Sequence, residues 1–177
     1  MWGGAEESAV EFQIRRIRAD EGESLRTTRL RALADAPGAF GSEYGETSER
    51  PQSEWVERAE RASDGGQQAI FVAGAGGEWE GMVLGHAPEG EQVTCDLASM
   101  WVAPVLRGSG ASRELVGAVM EWAEGSGFER VVLSVTEGNE PARRLYASCG
   151  FEFTGERELL RPHRPEVALE MARSVGG

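Results

Sequence analysis

The residues best placed to do chemistry are the run Arg107-Gly108-Ser109-Gly110-Ala111-Ser112-Arg113. Side chains this small let the backbone itself approach a ligand, and a glycine turn feeding a helix points the first unpaired helical N–H groups outward, a ready site for phosphate. A Walker A loop is excluded because the turn lacks a Gly-Lys-Ser/Thr ending. The dinucleotide pattern GxGxxG fails because Arg113 stands where its third glycine belongs. A second stretch, Asn139 to Phe151 (NEPARRLYASCGF), places a capping asparagine ahead of a short helix that carries Leu145 and Tyr146. Read singly, the first stretch is a glycine-rich linker and the second an amphipathic helix with two core residues. Their joint presence is more specific.

Composition removes several alternatives. The chain has 177 residues, enough for one well-packed core and short for two. Its 18 basic and 30 acidic side chains give a formal charge of −12, so no basic excess is available for broad nucleic-acid binding. Such a surface suits a cationic substrate and equally serves solubility. Cys95 and Cys149 lie outside any CxxC pattern, and the two histidines, His86 and His163, have no metal-ligand spacing, so neither a disulfide framework nor a metal is expected. Cys149 has no evident activating base and reads as structural. The N-terminus lacks a signal-peptide layout and no apolar run approaches a membrane span, which points to the cytoplasm and away from a membrane. The expected layout is a disordered segment over 1–10, one domain over 11–172 and a polar tail over 173–177.

The elements that must position the two stretches follow from periodicity. Alternation over 11–18 predicts a strand. Asp20 and Glu23 resemble a capping pair before a helix with an apolar stripe of Leu25, Leu30, Leu33 and Ala34, ending near Asp35. A Gly-, Ser- and Pro-rich loop is expected over 36–50, then a helix capped by Ser53 with Trp55, Val56, Ala59 and Ala62 inward. Two β-rich runs around Gly76-Gly77 predict a hairpin, and a loop over 87–91 leads to a strand over 92–102, ended by Pro104. A helix over 110–124 should bury Leu115, Val119, Met120 and Trp122. The run RVVLSVT, 130–136, reads as a central strand covered on both faces. The Tyr146 helix and two further strands complete a mixed α/β layered fold around one sheet.

At this spacing, the two stretches together resemble the GCN5-related N-acetyltransferase (GNAT) family. The family's phosphate pattern, Arg or Gln, two residues, Gly, one residue, Gly or Ala, is met by Arg107 and Gly110 and ends here in Ser112, a small enlargement facing the pyrophosphate. Its later pattern is met by Asn139, Ala142, Leu145, Tyr146, Gly150 and Phe151, and the segment RTTRLRALADAPGAFGSEY is similar to the substrate-side helices of many small bacterial members. The resemblance implies a mixed, mostly antiparallel sheet of about seven strands flanked by about four helices. It also implies acetyl-CoA as co-substrate and no metal. Main-chain groups of Met100, Trp101 and Val102 would pair with the pantetheine arm where Pro104 helps the strand diverge. N–H groups of Gly108, Ser109, Gly110, Ala111, Ser112 and Arg113 would hold the pyrophosphate, with Arg107 at the head of the motif. Asn139 and Arg143 would meet the far side of the cofactor, and Tyr146 would reach its sulfur.

Proton accounting then assigns roles. The nucleophile is a free amine, yet an alkylammonium with a pKa of ~10.4 must first lose a proton. Asp96, on the strand leading to the glycine turn, is where many family members carry an acidic base; a solvent-facing aspartate is the competing reading, with a water chain as the base. A strand N–H near Met100 to Val102 would stabilise the oxyanion, and Tyr146 would protonate the leaving thiolate. Trp55 and Trp122 read as packing residues, as does Trp101 ahead of an acyl-site role. Phe40, Glu43, Tyr44 and Glu46 are candidates to shape an amine pocket. The expected activity is acetylation of a small-molecule primary amine. A protein N-terminus or lysine is the alternative acceptor, and a non-catalytic acyl-CoA-binding regulatory domain is the alternative class. A homodimer is compatible with such a fold.

Overall fold

The computed structural model describes residues 10–75 and 77–176. Apart from Val10, the N-terminal segment expected to lack order falls outside this range, as does Gly76 of the hairpin pair. In chain order the elements are β1 (Gln13–Arg16), α1 (Gly22–Asp35), a 3-10 turn (Pro37–Ala39), α2 (Tyr44–Ser48), α3 (Gln52–Ser63), β2 (Gln68–Ala75), β3 (Glu78–His86) and β4 (Thr94–Val102). A second 3-10 turn (Pro104–Leu106), α4 (Ala111–Gly125), β5 (Arg130–Thr136), α5 (Glu140–Ser148), β6 (Glu152–Leu159) and β7 (Val167–Ser174) follow. The seven strands form one sheet in the order β1-β2-β3-β4-β5-β7-β6. Every pairing is antiparallel except β4 with β5.

Side-chain alternation divides the sheet into two faces. Ala69, Ala73, Val83, Cys95, Leu97, Val131, Leu133 and Val135 point to one face, where Leu115, Val116, Val119 and Met120 of α4 cover them. Ile70, Val72 and Met82 point to the other, beneath Leu25 of α1 and Trp55, Ala59 and Ala62 of α3. That second helical layer covers β2 and β3 but leaves the β4–β5–β7 side open. β5 is therefore central but not covered on both faces: Val131, Leu133 and Val135 are buried under α4, while Ser134 on the opposite face is exposed.

Several boundaries depart from periodicity for local reasons. Asp20 and Glu23 do not cap α1. Glu21 occupies the N-cap without a side-chain cap bond, and its carboxylate instead accepts from Arg15 and from the Arg18 backbone N–H. Pro51, not Ser53, is the N-cap of α3, and Val56 is turned outward at 40% exposure. The 36–50 segment contains a 3-10 turn and the one-turn helix α2. β4 starts at Thr94 because one Glu91 carboxylate oxygen accepts from the N–H groups of Gln92, Val93 and Thr94, closing a local turn ahead of the strand. β7 continues to Ser174, with Arg173 in register with Val131, so the last strand takes in part of the expected tail.

The α1–α3 layer depends on one close approach. A Cβ built on Gly22 would lie 2.9 Å from backbone atoms of Trp55 and Val56, so neither helix can yield without moving as a unit. Gly22→Ala is expected to destabilise the protein by ~1–3 kcal/mol, the usual cost of overpacking, measurable as a lowered denaturation midpoint. Unchanged stability would show that the two helices separate freely.

Candidate active site

β4 and β5 run side by side for only three pairs, Thr94↔Arg130, Cys95↔Val131 and Asp96↔Val132. Beyond Asp96 the two strands part. A β-bulge in β4 accompanies the opening: Leu84 of β3 pairs with Ala98 and Met82 with Trp101, so Val83 alone faces both Ser99 and Met100. Ser99 has φ 55°, the only non-glycine residue with positive φ among the described residues. The extra residue reverses the alternation of β4. Cys95 and Leu97 face α4 before the bulge; after it Met100 and Val102 face α4, and Trp101 and Ala103 turn to the opposite side. The divergence assigned to Pro104 thus begins eight residues earlier, at Asp96, and the backbone of Met100, Trp101 and Val102 lies along it.

At the end of the opening the phosphate turn has the geometry its composition predicts. Gly108 and Gly110 adopt φ 79° and 92°, conformations that disfavour any side chain, and a Cβ on either would meet open space. Three N–H groups of the run are internally engaged: Arg107 donates to the Pro104 carbonyl and Ser109 to the Leu106 carbonyl, both at 3.2 Å, and Ala111 to Ser109 Oγ at 3.3 Å. The N–H groups of Gly108, Gly110, Ser112 and Arg113 have no backbone or side-chain partner among the described residues and surround the N-terminus of α4. This set of free donors with the helix dipole behind them fits a pyrophosphate. Gly110→Val should weaken CoA binding at least tenfold by calorimetry, because it both strains the turn and fills the space in front of these donors. Equal affinity would remove the turn from the binding site.

On the open face of the sheet the parting strands floor a cleft of about 510 Å³, lined by Asp96, Ser99, Ser134 and Glu170 from β4, β5 and β7, with His86 and Arg29 at one end. Asp96 is half-buried, and burial holds its carboxyl above the usual carboxylate range, with Glu170 and Glu91 adding to the rise and His86 opposing it. His86 Nε2 lies 3.8 Å from Asp96 Oδ2, in cross-strand register. A carboxylate with a raised pKa in a cleft has the character of a proton acceptor for an amine. The partnership of His86 was missed in the sequence because it depends on the β3–β4 register, which pairs it with Asp96 across the hairpin.

The remaining predicted residues are engaged in specific ways. Tyr146 is 6% exposed, packed edge-on against Phe151 with ring centroids 6.1 Å apart, and its hydroxyl has no hydrogen-bond partner among the described residues. Burial, and to a lesser degree Cys149, pushes its phenol well above the usual range. The Asn139 side chain caps α5 by accepting from the Ala142 N–H at 3.3 Å. Arg143 donates to the Glu137 carbonyl at 3.0 Å and to Glu140 at 2.8 Å, and its buried Nε has no partner among the described residues. Arg107 reaches back to Asp35 at the end of α1, and its Nε donates to the Val102 carbonyl at 3.1 Å. Asp35 also accepts from Trp101 Nε1 at 2.9 Å, and this bond, reinforced by Arg107, keeps its carboxyl below the usual range. The α1 terminus, the bulged strand and the phosphate turn are thereby joined through one carboxylate. The role of Asp35 was hidden because it read only as a helix end.

Arg161, on the loop between β6 and β7, crosses to the segment that roofs the cleft, donating to the Pro37 carbonyl at 2.9 Å and to Glu43 at 3.2 Å. Phe40 is buried against Arg29, whose guanidinium lies 4.5 Å from its ring centroid. Of the residues considered for an amine pocket, Phe40 lines the cleft, whereas Glu43 serves the roof. Among the described residues no group of three or more His, Cys, Asp and Glu side chains could hold a metal ion, and no helix is long and apolar enough to cross a membrane.

A mixed sheet that opens between its two parallel strands, with a glycine turn and helix N-terminus at the opening, defines an acyltransferase-type α/β fold. The chain belongs to the acetyltransferase (GNAT) family, whose model matches residues 30–151. It is 32% identical over 98 residues to an uncharacterized N-acetyltransferase of Mycobacterium tuberculosis, covering 54% of this chain and 63% of that protein. It is 34% identical over 161 residues to the mycothiol acetyltransferase of Thermobifida fusca, covering 89% of this chain and 48% of that protein. The matched region thus spans less than two thirds of the length of these relatives. The fold is that of a GNAT acetyltransferase from Streptococcus pneumoniae, with a TM-score of 0.81 at 20% identity over 94% of this chain and 100% of that one. It is also that of yncA, a putative acetyltransferase from Salmonella typhimurium solved with its cofactor acetyl-CoA, with a TM-score of 0.72 at 17% identity over 95% and 96% of the two chains.

Proposed function

We propose that this protein is an acetyl-CoA-dependent N-acetyltransferase acting in the cytoplasm on the primary amine of a small molecule. The observation that carries the reading is the roofed cleft of about 510 Å³ on the open face of the parting strands, with Asp96 in its wall. A volume in the range of about 300–1,000 Å³ suits a small ligand. The Arg161 bridge to Pro37 and Glu43 ties the segment over the cleft to the loop between β6 and β7.

Acetyl-CoA supplies the activated acyl group. The free N–H groups of Gly108, Gly110, Ser112 and Arg113 bind its pyrophosphate, and the strand backbone from Met100 to Val102 lies beside its arm. Arg107 holds the turn against α1 through Asp35, while Asn139 and Arg143 shape the start of α5 on the far side. Asp96 accepts one proton from the ammonium form of the acceptor, leaving a free amine. One C–N bond then forms and one C–S bond breaks; Tyr146 gives the departing sulfur its proton, and the second proton, which the nitrogen releases as it becomes an amide, restores the phenol. Backbone N–H groups of the bulged strand face the charge that develops on the carbonyl oxygen. Thiol release from acetyl-CoA, followed across a panel of primary amines and peptides, tests the reading. Turnover with a small amine in preference to peptides is expected; turnover with peptides alone would make the protein a peptide acetyltransferase. CoA binding without turnover on any acceptor would leave a regulatory domain.

A further inference from the structure

Behind the cleft lies a second cavity, about 280 Å³, between the α1–α3 layer and strands β2 to β4. Arg29, His86 and Ser99 line both, so the two adjoin across these side chains. Their charges are opposite. The main cleft carries Asp96, Glu158 and Glu170. Among the described residues the rear cavity is lined by Arg29, Arg58 and Arg61 and by no carboxylate, in a chain with a formal charge of −12.

Its donors are unmatched. Arg29 has no hydrogen bond or ion pair among the described residues, and its Nη1 is buried without a partner. Burial, then the nearby Arg58 and Arg50, lowers its guanidinium to about 10, so the cation persists at neutral pH without an anion to offset it. Trp55, 1% exposed, lines the same cavity with its indole Nε1 buried and unpaired. Arg58 stacks over the Trp55 ring at 5.2 Å, and Glu54, one helical turn before it on α3, is bonded to Arg50 at 3.2 Å. Buried donors are almost always satisfied in folded proteins, so an Arg29 nitrogen and an indole N–H buried without partners among the described residues, with the Arg58 guanidinium beside them, form a prepared oxyanion site.

We propose that the rear cavity binds a carboxylate of the acceptor itself, so that the substrate is an amino acid or a similar small molecule bearing both an amine and a carboxylate. This rests on the N-acetyltransferase reading above. The amine would face Asp96 and Glu170 while the carboxylate meets Arg29, Arg58 and Trp55. The planar oxygen pair matches the arginine forks, and Leu25, Ile70 and Met82 supply apolar wall for a hydrocarbon part.

The test uses matched triads built on leucine, methionine and phenylalanine: the free L-amino acid, its carboxamide, and the amine left when the carboxylate is removed. Acetylation is followed by thiol release, and binding of the three amino acids by calorimetry on the same protein. The free acids should show kcat/KM at least tenfold above their carboxamides. Arg58→Gln, at a partly exposed position, should raise KM for the acids about tenfold with kcat and the carboxamides little affected, and Arg29→Lys should do the same to a smaller extent. Preference for the carboxamides, for the simple amines or for a phosphorylated amine would overturn the carboxylate site while leaving the acetyltransferase intact. Equal use of acid and carboxamide, or an Arg58→Gln defect common to all three, would overturn it as well. Amino acids that bind in an Arg58-dependent way without being acetylated would uphold the site and remove the transferase reading. If the acids are neither bound nor acetylated, the carboxylate site is wrong.

Discussion

Asp96→Asn is expected to lower kcat/KM for amine acetylation by about 10²- to 10⁴-fold, the usual scale for loss of a positioned base, without unfolding the protein. Asparagine keeps the shape of the side chain in the cleft but cannot take a proton. Burial raises the Asp96 carboxyl above its ordinary value, so the acid limb of the pH–rate profile should lie above that of an exposed aspartate and vanish in the variant. The consequence for stability has the opposite sign. A carboxyl whose folded pKa exceeds its unfolded one favours the native state while protonated, and that advantage is lost as pH rises through the interval between the two values. Above that interval the charged form is a cost to the folded protein. Asp96→Asn should therefore leave the thermal midpoint at neutral pH equal to or above that of the parent while activity collapses. A kcat/KM loss under tenfold in acetylation assays would pass the base role to a water chain, and a lowered midpoint would show that the carboxylate is stabilised by His86 more than it is penalised by burial.

Much of the frame was legible because it rests on periodicity and turn chemistry. The nearly continuous β-branched run RVVLSVT located β5, and Asn139 located the start of α5, which its side chain does cap. The glycine turn was recognisable because residues this small let the backbone approach a ligand just before a helix, and Gly108 and Gly110 do adopt positive φ there. The features that open the site were not legible. The bulge in β4 centres on Ser99, a residue type that gives no sign of a left-handed conformation, and LASMWV reads as one unbroken strand although its side chains change faces midway. Trp101 is consequently a core residue at 5% exposure, tied to Asp35, and its place follows from the bulge. Arginine is assigned to solvent by any hydrophobic pattern, so Arg29 on the inner side of α1 and Arg58 beside Trp55 were invisible until the helices were seen to cross at Gly22. Asp96, by contrast, was selected through family resemblance, and the geometry adds what sequence could not: its His86 neighbour, its burial and its position at the last residue before the strands part.

Tyr146→Phe separates packing from chemistry more sharply than any other substitution here. The phenylalanine ring would occupy the same core position beside Phe151, and the lost hydroxyl has no hydrogen-bond partner among the described residues, so folding stability should change by less than about 1 kcal/mol. Turnover should nevertheless fall about 10²- to 10³-fold with the KM for acetyl-CoA little changed, since what is removed is a proton donor and not a binding surface. The raised pKa of this phenol argues against the role only if the thiolate is imagined in water. A sulfur anion expelled into the same apolar surroundings is desolvated too, becomes a stronger base, and recovers much of the difference between the two groups. The raised phenol also has a use: Tyr146 stays protonated through the neutral and alkaline range, so the donor is always loaded and any alkaline decline in rate must come from another group. Steady-state kinetics and a melting curve on the one variant decide the matter. Unchanged turnover with an unchanged melt would make Tyr146 a core residue and nothing more.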